Sequence, residues 1–175
     1  MRKTFLDSDS DYDSDDDKVP IKYKIIVIGD NKVGKTSLIN RLQSNSFTIQ
    51  YTKTKTIEIH DRILLGDILV DIWDVPPNIC KYYNVSTLES DVILLMFDSN
   101  KTLLTGVKLL TGLHNALYKD KLPELWFVNR GSEKIETEHC HPDRIFNVDS
   151  MSRDGILDLI YDIRCKLLRK SQLFS

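Results

Sequence analysis

Eight consecutive residues, GDNKVGKT (Gly29 to Thr36), bring two glycines, a lysine and a hydroxyl together at the spacing GxxxxGK(S/T). The glycines let a short loop wrap so that its amides and the positive end of a following helix face a polyphosphate. In such a loop Lys35 is placed to bridge the β- and γ-phosphates, and the Thr36 hydroxyl to ligate Mg²⁺. Asn31, Lys32, Val33, Gly34 and Ser37 complete the segment that would line the anion. The alternative is a glycine turn that holds no ligand.

This spacing is specific only between a strand and a helix, and the flanking residues predict both. YKIIVIG (23 to 29) is a short β-branched run, read as a buried strand, and Leu38, Ile39 and Leu42 follow at helical spacing. Residues 45 to 55 are polar and read as a loop. TIEIHDRIL (56 to 64) and residues 67 to 73 alternate around Gly66, the pattern of an antiparallel hairpin. DVILLMFD (91 to 98) and ELWFVN (124 to 129) read as further buried strands, and RIFNV (144 to 148) as a short last one. Leu103, Val107, Leu110 and Leu117 form one helical stripe, on which His114 is expected as a half-buried residue and not a ligand. Ile156, Leu159, Ile160, Ile163 and Leu167 form the stripe of a closing helix.

Strands alternating with helices imply crossovers, hence a mainly parallel six-stranded sheet with helices on both faces and one antiparallel edge strand. A chain of 175 residues, 41% of them hydrophobic, suits one domain with a real core. The domain is expected over residues 21–170, between an acidic tail (1–20) and a short C-terminal tail (171–175). Residues 1 to 17 carry seven Asp against Arg2 and Lys3, so this end is strongly negative although the whole chain is only −2. Such a stretch has too little apolar surface to offset the entropy of ordering, and it reads as disordered. Ser8, Ser10 and Ser14 each have an Asp three residues on, the pattern of acidophilic kinase sites.

Cys80, Cys140 and Cys165 are odd in number and unpatterned, which fits an intracellular, cytoplasmic protein. No apolar run is long enough to cross a bilayer, and neither end carries a lipidation signal, so no lipid anchor of its own is expected. His139, Cys140 and His141 lack a second ligand pair and read as a polar loop, not a zinc site.

With GDNKVGKT in place, the order of elements over residues 21 to 169 resembles the Ras superfamily of small GTPases, most closely its Rab branch. The resemblance implies the P-loop NTPase (small G-protein) fold, GTP or GDP with Mg²⁺ as cofactors, and slow GTP hydrolysis as the activity. It implies protein effectors bound through two switch segments (45–60 and 74–88), no nucleic acid, and a monomer. A Thr of the first switch coordinates Mg²⁺ in this family; TKTIEIH puts Thr56 in that place, against the plainer reading of a strand residue. Asp74 follows as a metal-holding residue, giving Thr36, Thr56 and Asp74 as the metal set.

Three motifs depart from the family pattern. The family's DxxG reads DVPP (74–77), and Pro77 has no N–H to donate to a γ-phosphate. Asn78 stands where most members have a Gln that orients water; it is shorter, and little intrinsic hydrolysis is expected beyond what Lys35 supports. The base-reading NKxD is Asn129-Arg130-Gly131-Ser132, in which one hydroxyl replaces a bidentate carboxylate, with Glu133 one position too late. The SAK motif is Ser150-Met151-Ser152, which keeps a backbone amide for the base. The segment between Asn129 and Ser150 is short for the family, so its fourth helix is expected to be reduced or missing.

Two functions remain open on these residues. One is a nucleotide-dependent switch with weak or absent hydrolysis. The other is a pseudo-GTPase, a binding module for a protein partner that holds nucleotide weakly or not at all. A P-loop nucleotide kinase fits less well, because no Arg-rich lid segment is present.

Overall fold

In a computed structural model the chain is described over residues 22–82, 89–114, 123–136 and 144–172. The acidic tail, Leu117 and the His139–Cys140–His141 stretch lie outside these residues, as does the side chain of His114.

The elements run β1 (Lys22–Gly29), α1 (Lys35–Ser44), β2 (Glu58–Leu65), β3 (Ile68–Asp74), α2 (Pro77–Tyr82), β4 (Val92–Phe97), α3 (Asn100–His114), β5 (Glu124–Asn129), β6 (Ile145–Asn147) and α4 (Ile156–Gln172). Among the described residues they make one six-stranded sheet in the order β2-β3-β1-β4-β5-β6. β1 pairs in parallel with β3 and β4, and the parallel pairing continues through β5 to β6. The β2–β3 hairpin is the one antiparallel pair among the described residues, as its alternation around Gly66 predicts. Between Asn129 and Ile145 no α-helix is found among the described residues, 130–136 and 144.

The period of two along β1 divides the core. Ile25 and Val27 pack with Leu38, Ile39 and Leu42 of α1 and Leu159, Ile163 and Leu167 of α4. Ile26 and Ile28 pack on the opposite face with Leu95, Phe97 and Phe127, against Leu103 of α3. All six residues of β4 are buried, as expected of a strand covered on both faces. Leu94 is wholly buried in the larger layer. Leu94→Ala is therefore expected to lower unfolding free energy by about 2–5 kcal/mol, measurable by urea titration. Helix α4 is tied down at its far end, where the Tyr23 hydroxyl donates to Leu167 O (3.2 Å) and Lys170 Nζ donates to Asp91 Oδ1 (2.7 Å).

Two local features of the fold have no counterpart in the sequence reading. The Pro76-Pro77 pair opens helix α2. Pro77 occupies the first helical position, where an N–H would have no intrahelical partner, while Pro76 O accepts from Ile79 N (3.0 Å) and Cys80 N (3.3 Å). In β2 the pairing register slips between His60 and Ile63, with Arg62 at φ 55° and its N–H donated to Asp71 Oδ1 at 2.9 Å. This is a β-bulge on the edge strand.

Candidate functional site

β1 lies where the chain order reverses, with β3 on one side and β4 on the other, so its carboxyl end opens on the crevice where open α/β sheets bind ligands. Gly29 ends the strand at φ 145°, and a Cβ there would sit 2.2 Å from Met96 O. The loop then passes through left-handed backbone at Lys32 (φ 65°) and Gly34 (φ 95°) before entering α1. Such turns gather successive amides into a concavity suited to an anion. Helix α1 begins with no side-chain cap and no acidic residue in its first turn, which leaves its positive end to an incoming negative charge. Val33 is wholly buried and anchors the loop to the core, whereas Asn31 and Lys32 are exposed and Ser37 is half-buried.

Lys35 is curled back over this loop: its Nζ donates to Gly29 O (3.2 Å) and Asp30 O (2.9 Å), and the side chain is buried. Burial lowers its pKa, an effect that the nearby Asp74 carboxylate opposes. Thr36 and Asp74 meet at 2.5 Å through Oγ1 and Oδ2, and Thr54 Oγ1 lies 3.1 Å from Thr36 Oγ1 and 3.4 Å from Asp74 Oδ2. Asp74 is fully buried, and its Oδ1 has no hydrogen-bond partner among the described residues. An orphaned carboxylate oxygen beside two hydroxyls is a hard oxygen donor set, which suits Mg²⁺. Among the described residues there is no cluster of three or more His, Cys, Asp or Glu.

The sequence reading named Thr56 for this cluster; the residue that arrives is Thr54. Thr56 is exposed, two residues further along the chain. Thr52, Thr54 and Thr56 alternate, so period alone does not choose among them. Pro77 is buried at the start of α2, and Asn78 next to it is exposed. Cys80, on the same helix, has its thiol pushed up to about 11 by burial, although Lys35 pulls the other way.

On the side where a base would lie, Asn129 is buried and its amide is used internally. Its Nδ2 donates to Gly131 O (3.1 Å) and Asn147 Oδ1 (2.8 Å), and its Oδ1 accepts from Gly131 N (2.9 Å). Arg130 lies along the phosphate loop, where its Nη1 donates to Lys32 O (3.2 Å) and its Cδ comes within 3.0 Å of a Cβ built at Gly34. Ser132 is exposed. Glu133 binds the start of α3 instead, accepting from Asn100 N (3.2 Å) and Asn100 Nδ2 (3.0 Å). Ser150 is buried, and the Met151 N–H is donated to Asp149 Oδ1 (2.8 Å), the bond that chiefly holds the Asp149 carboxyl below its usual range. Ser152 donates its hydroxyl to Asp154 Oδ2 at 2.8 Å.

The sequence reading missed Thr54, Asn147, Asp149 and Arg41. Arg41 reaches the Ser150 and Met151 carbonyls from α1, about 110 residues away in the chain, a relation that no local pattern encodes.

A glycine loop between the central parallel strand and its helix, with a buried lysine and a hydroxyl–carboxylate cluster beside it, defines a phosphate-binding-loop α/β domain. The family described as Roc, Ras of Complex, domain of DAPkinase, matches residues 24–111, half of the chain. The chain belongs to this family and is a Rab-like member of the Ras superfamily of small GTPases. Among its relatives are the Ras-related proteins RABG3b of Arabidopsis thaliana, 40% identical over 58 residues, and Rab-7b of Paramecium octaurelia, 41% identical over 59 residues. The first match takes in 29% of this chain and 27% of the relative, the second 30% and 27%. The Ras-related protein RabY of Dictyostelium discoideum is 36% identical over 55 residues, 30% of this chain and 23% of that protein. The chain thus spans about a quarter of the length of the curated relatives it matches. Among the described residues no helix is long and apolar enough to cross a membrane.

Proposed function

We propose that the chain binds GTP and GDP with Mg²⁺ at the Gly29–Thr36 loop, hydrolyses GTP slowly or not at all, and offers residues 45–60 and 74–88 to protein effectors as an intracellular, cytoplasmic monomer. The observation that carries this reading is Lys35, folded over its own loop beside an Asp74 carboxylate with one oxygen unpaired. Lys35 would donate to the β- and γ-phosphates, and the loop amides would hold the same oxygens in place. Thr36, Thr54 and Asp74 would hold Mg²⁺, which when bound neutralises charge on the outer phosphates. Hydrolysis would be in-line attack by water on the γ-phosphate. Asn78 is poorly suited to assist that step, being exposed and shorter than the glutamine of most members, and Pro77 has no N–H for the γ-phosphate.

The second reading, a pseudo-GTPase that serves as a fixed protein-binding module, is favoured by the base side. The Asn129 amide is committed to Gly131 and Asn147, and Ser132 replaces the family's carboxylate. One experiment separates the two: extract and identify nucleotide from natively purified protein, then measure melting with GTP, GDP or ATP plus Mg²⁺. Shifts with GTP and GDP but not ATP support the first reading, and melting that no nucleotide moves establishes the second.

Within the first reading, Pro77→Gly restores a donor facing the γ-phosphate. Its GTP-over-GDP preference is expected to rise about tenfold, the worth of one hydrogen bond to a charged group. Competition binding measures the ratio, and an unchanged ratio removes residue 77 from γ-phosphate sensing.

A further inference from the structure

The guanidinium of Arg41, in the second turn of α1, joins two segments that are remote in sequence. Its Nε donates to Ser150 O (2.8 Å) and its Nη2 to Met151 O (3.3 Å). Its Nη1 donates to Asn45 O (2.6 Å), and its Cζ stands 5.8 Å from the centre of the Phe47 ring. A planar fork of five donors suits this task, since one rigid group meets several carbonyls at once. The 149–154 loop also has local bonds of its own: Asp149 N donates to Asp154 O (3.0 Å), Arg153 N to Asp149 O (2.8 Å), and Met151 N to Asp149 Oδ1 (2.8 Å). Asn45, which leaves α1 at φ 54°, donates its own N–H to Arg41 O (3.1 Å), so the exit of the helix is bound to Arg41 in both directions.

Helix α1 is the common support. It carries Lys35 and Thr36 at its start and Arg41 about 9 Å further along the axis, a separation on the scale of a nucleotide's phosphate and base ends. Accepting the nucleotide-binding reading above, on which this inference rests, we propose that Arg41 is a positioning residue that clamps the 150–151 loop and the start of the 45–57 segment together, and so sets the release rate of the bound nucleoside. Its direct contacts are with the 150–151 carbonyls and the start of the 45–57 segment, and among the described residues none is with the Gly29–Thr36 loop.

The test uses the full chain as wild type, Arg41→Ala and Arg41→Lys. Release of fluorescent mant-GDP is followed after a GDP chase, and tripolyphosphate affinity is measured by calorimetry, both with Mg²⁺. Arg41→Ala is expected to release mant-GDP about tenfold faster. Arg41→Lys, which keeps the charge and stem but loses the fork, should release it severalfold faster and carries the test if the alanine variant does not fold. Tripolyphosphate affinity should stay within about twofold of wild type, because that ligand has no base. Unchanged mant-GDP release overturns the proposal, and so does an equal loss of tripolyphosphate binding, which would make Arg41 a support of the fold as a whole. Wild type that binds tripolyphosphate but not mant-GDP also overturns it and leaves the phosphate cradle standing. Wild type that binds neither removes the nucleotide reading itself.

Discussion

Lys35→Ala is expected to abolish the stabilisation of the protein by Mg²⁺-GTP, with affinity falling about a hundredfold or more. A hydrogen bond from a charged group is worth about 1.5–3 kcal/mol, and in the proposed complex this ammonium would face two phosphates at once, so its loss should cost about 3–6 kcal/mol of binding. The ligand-free protein should suffer as well. Gly29 O and Asp30 O each lose a donor, and the buried Asp74 loses its nearest cation. Melting with and without nucleotide separates the two effects, since the first acts on the ligand-induced shift and the second on the baseline. A ligand shift equal to that of wild type would detach Lys35 from nucleotide binding altogether.

Gly29→Ala attacks the same site through the backbone. The new methyl would fall 2.2 Å from Met96 O in a residue held at φ 145°, where side chains are strained whatever the space. Neither partner can step aside cheaply, because Gly29 and Met96 face each other in the β1–β4 ladder and both strands are buried. Overpacking of about 1–3 kcal/mol and backbone strain of similar size add to about 2–6 kcal/mol. For a domain of this length the melting temperature should fall by about 4–24 °C. A fall of under about 2 °C would show that the strand end and its loop can relax, and that the loop geometry is not locked by the sheet.

Much of the architecture is legible in the chain because burial on both faces leaves a plain mark. VILLMF and LWFV are apolar at every position, and they became β4 and most of β5. The phosphate loop is legible for a different reason: its glycines answer a steric demand visible at Gly29, and its lysine and threonine answer a chemical one. Helix α2 was hidden because paired prolines usually end structure. Pro77 begins a helix here only because Pro76 O is positioned to receive the first amides, a matter of geometry and not of composition. Thr54 was hidden among three alternating threonines, since loop 45–57 has no buried face to fix its register. Arg41 reads in sequence as one more polar helix residue, and its role exists only when α1 and the 150–151 loop are brought together.

The bulge at Arg62 has an effect at the border of the sheet. Among the described residues β2 has a neighbour on one side only, and a straight outer strand would offer a ladder of amides to any other extended chain, including a second molecule of the same protein. By turning Arg62 into left-handed backbone and tying its amide inward to Asp71 of β3, the chain makes this edge irregular halfway along, a device that disfavours edge-to-edge association between copies.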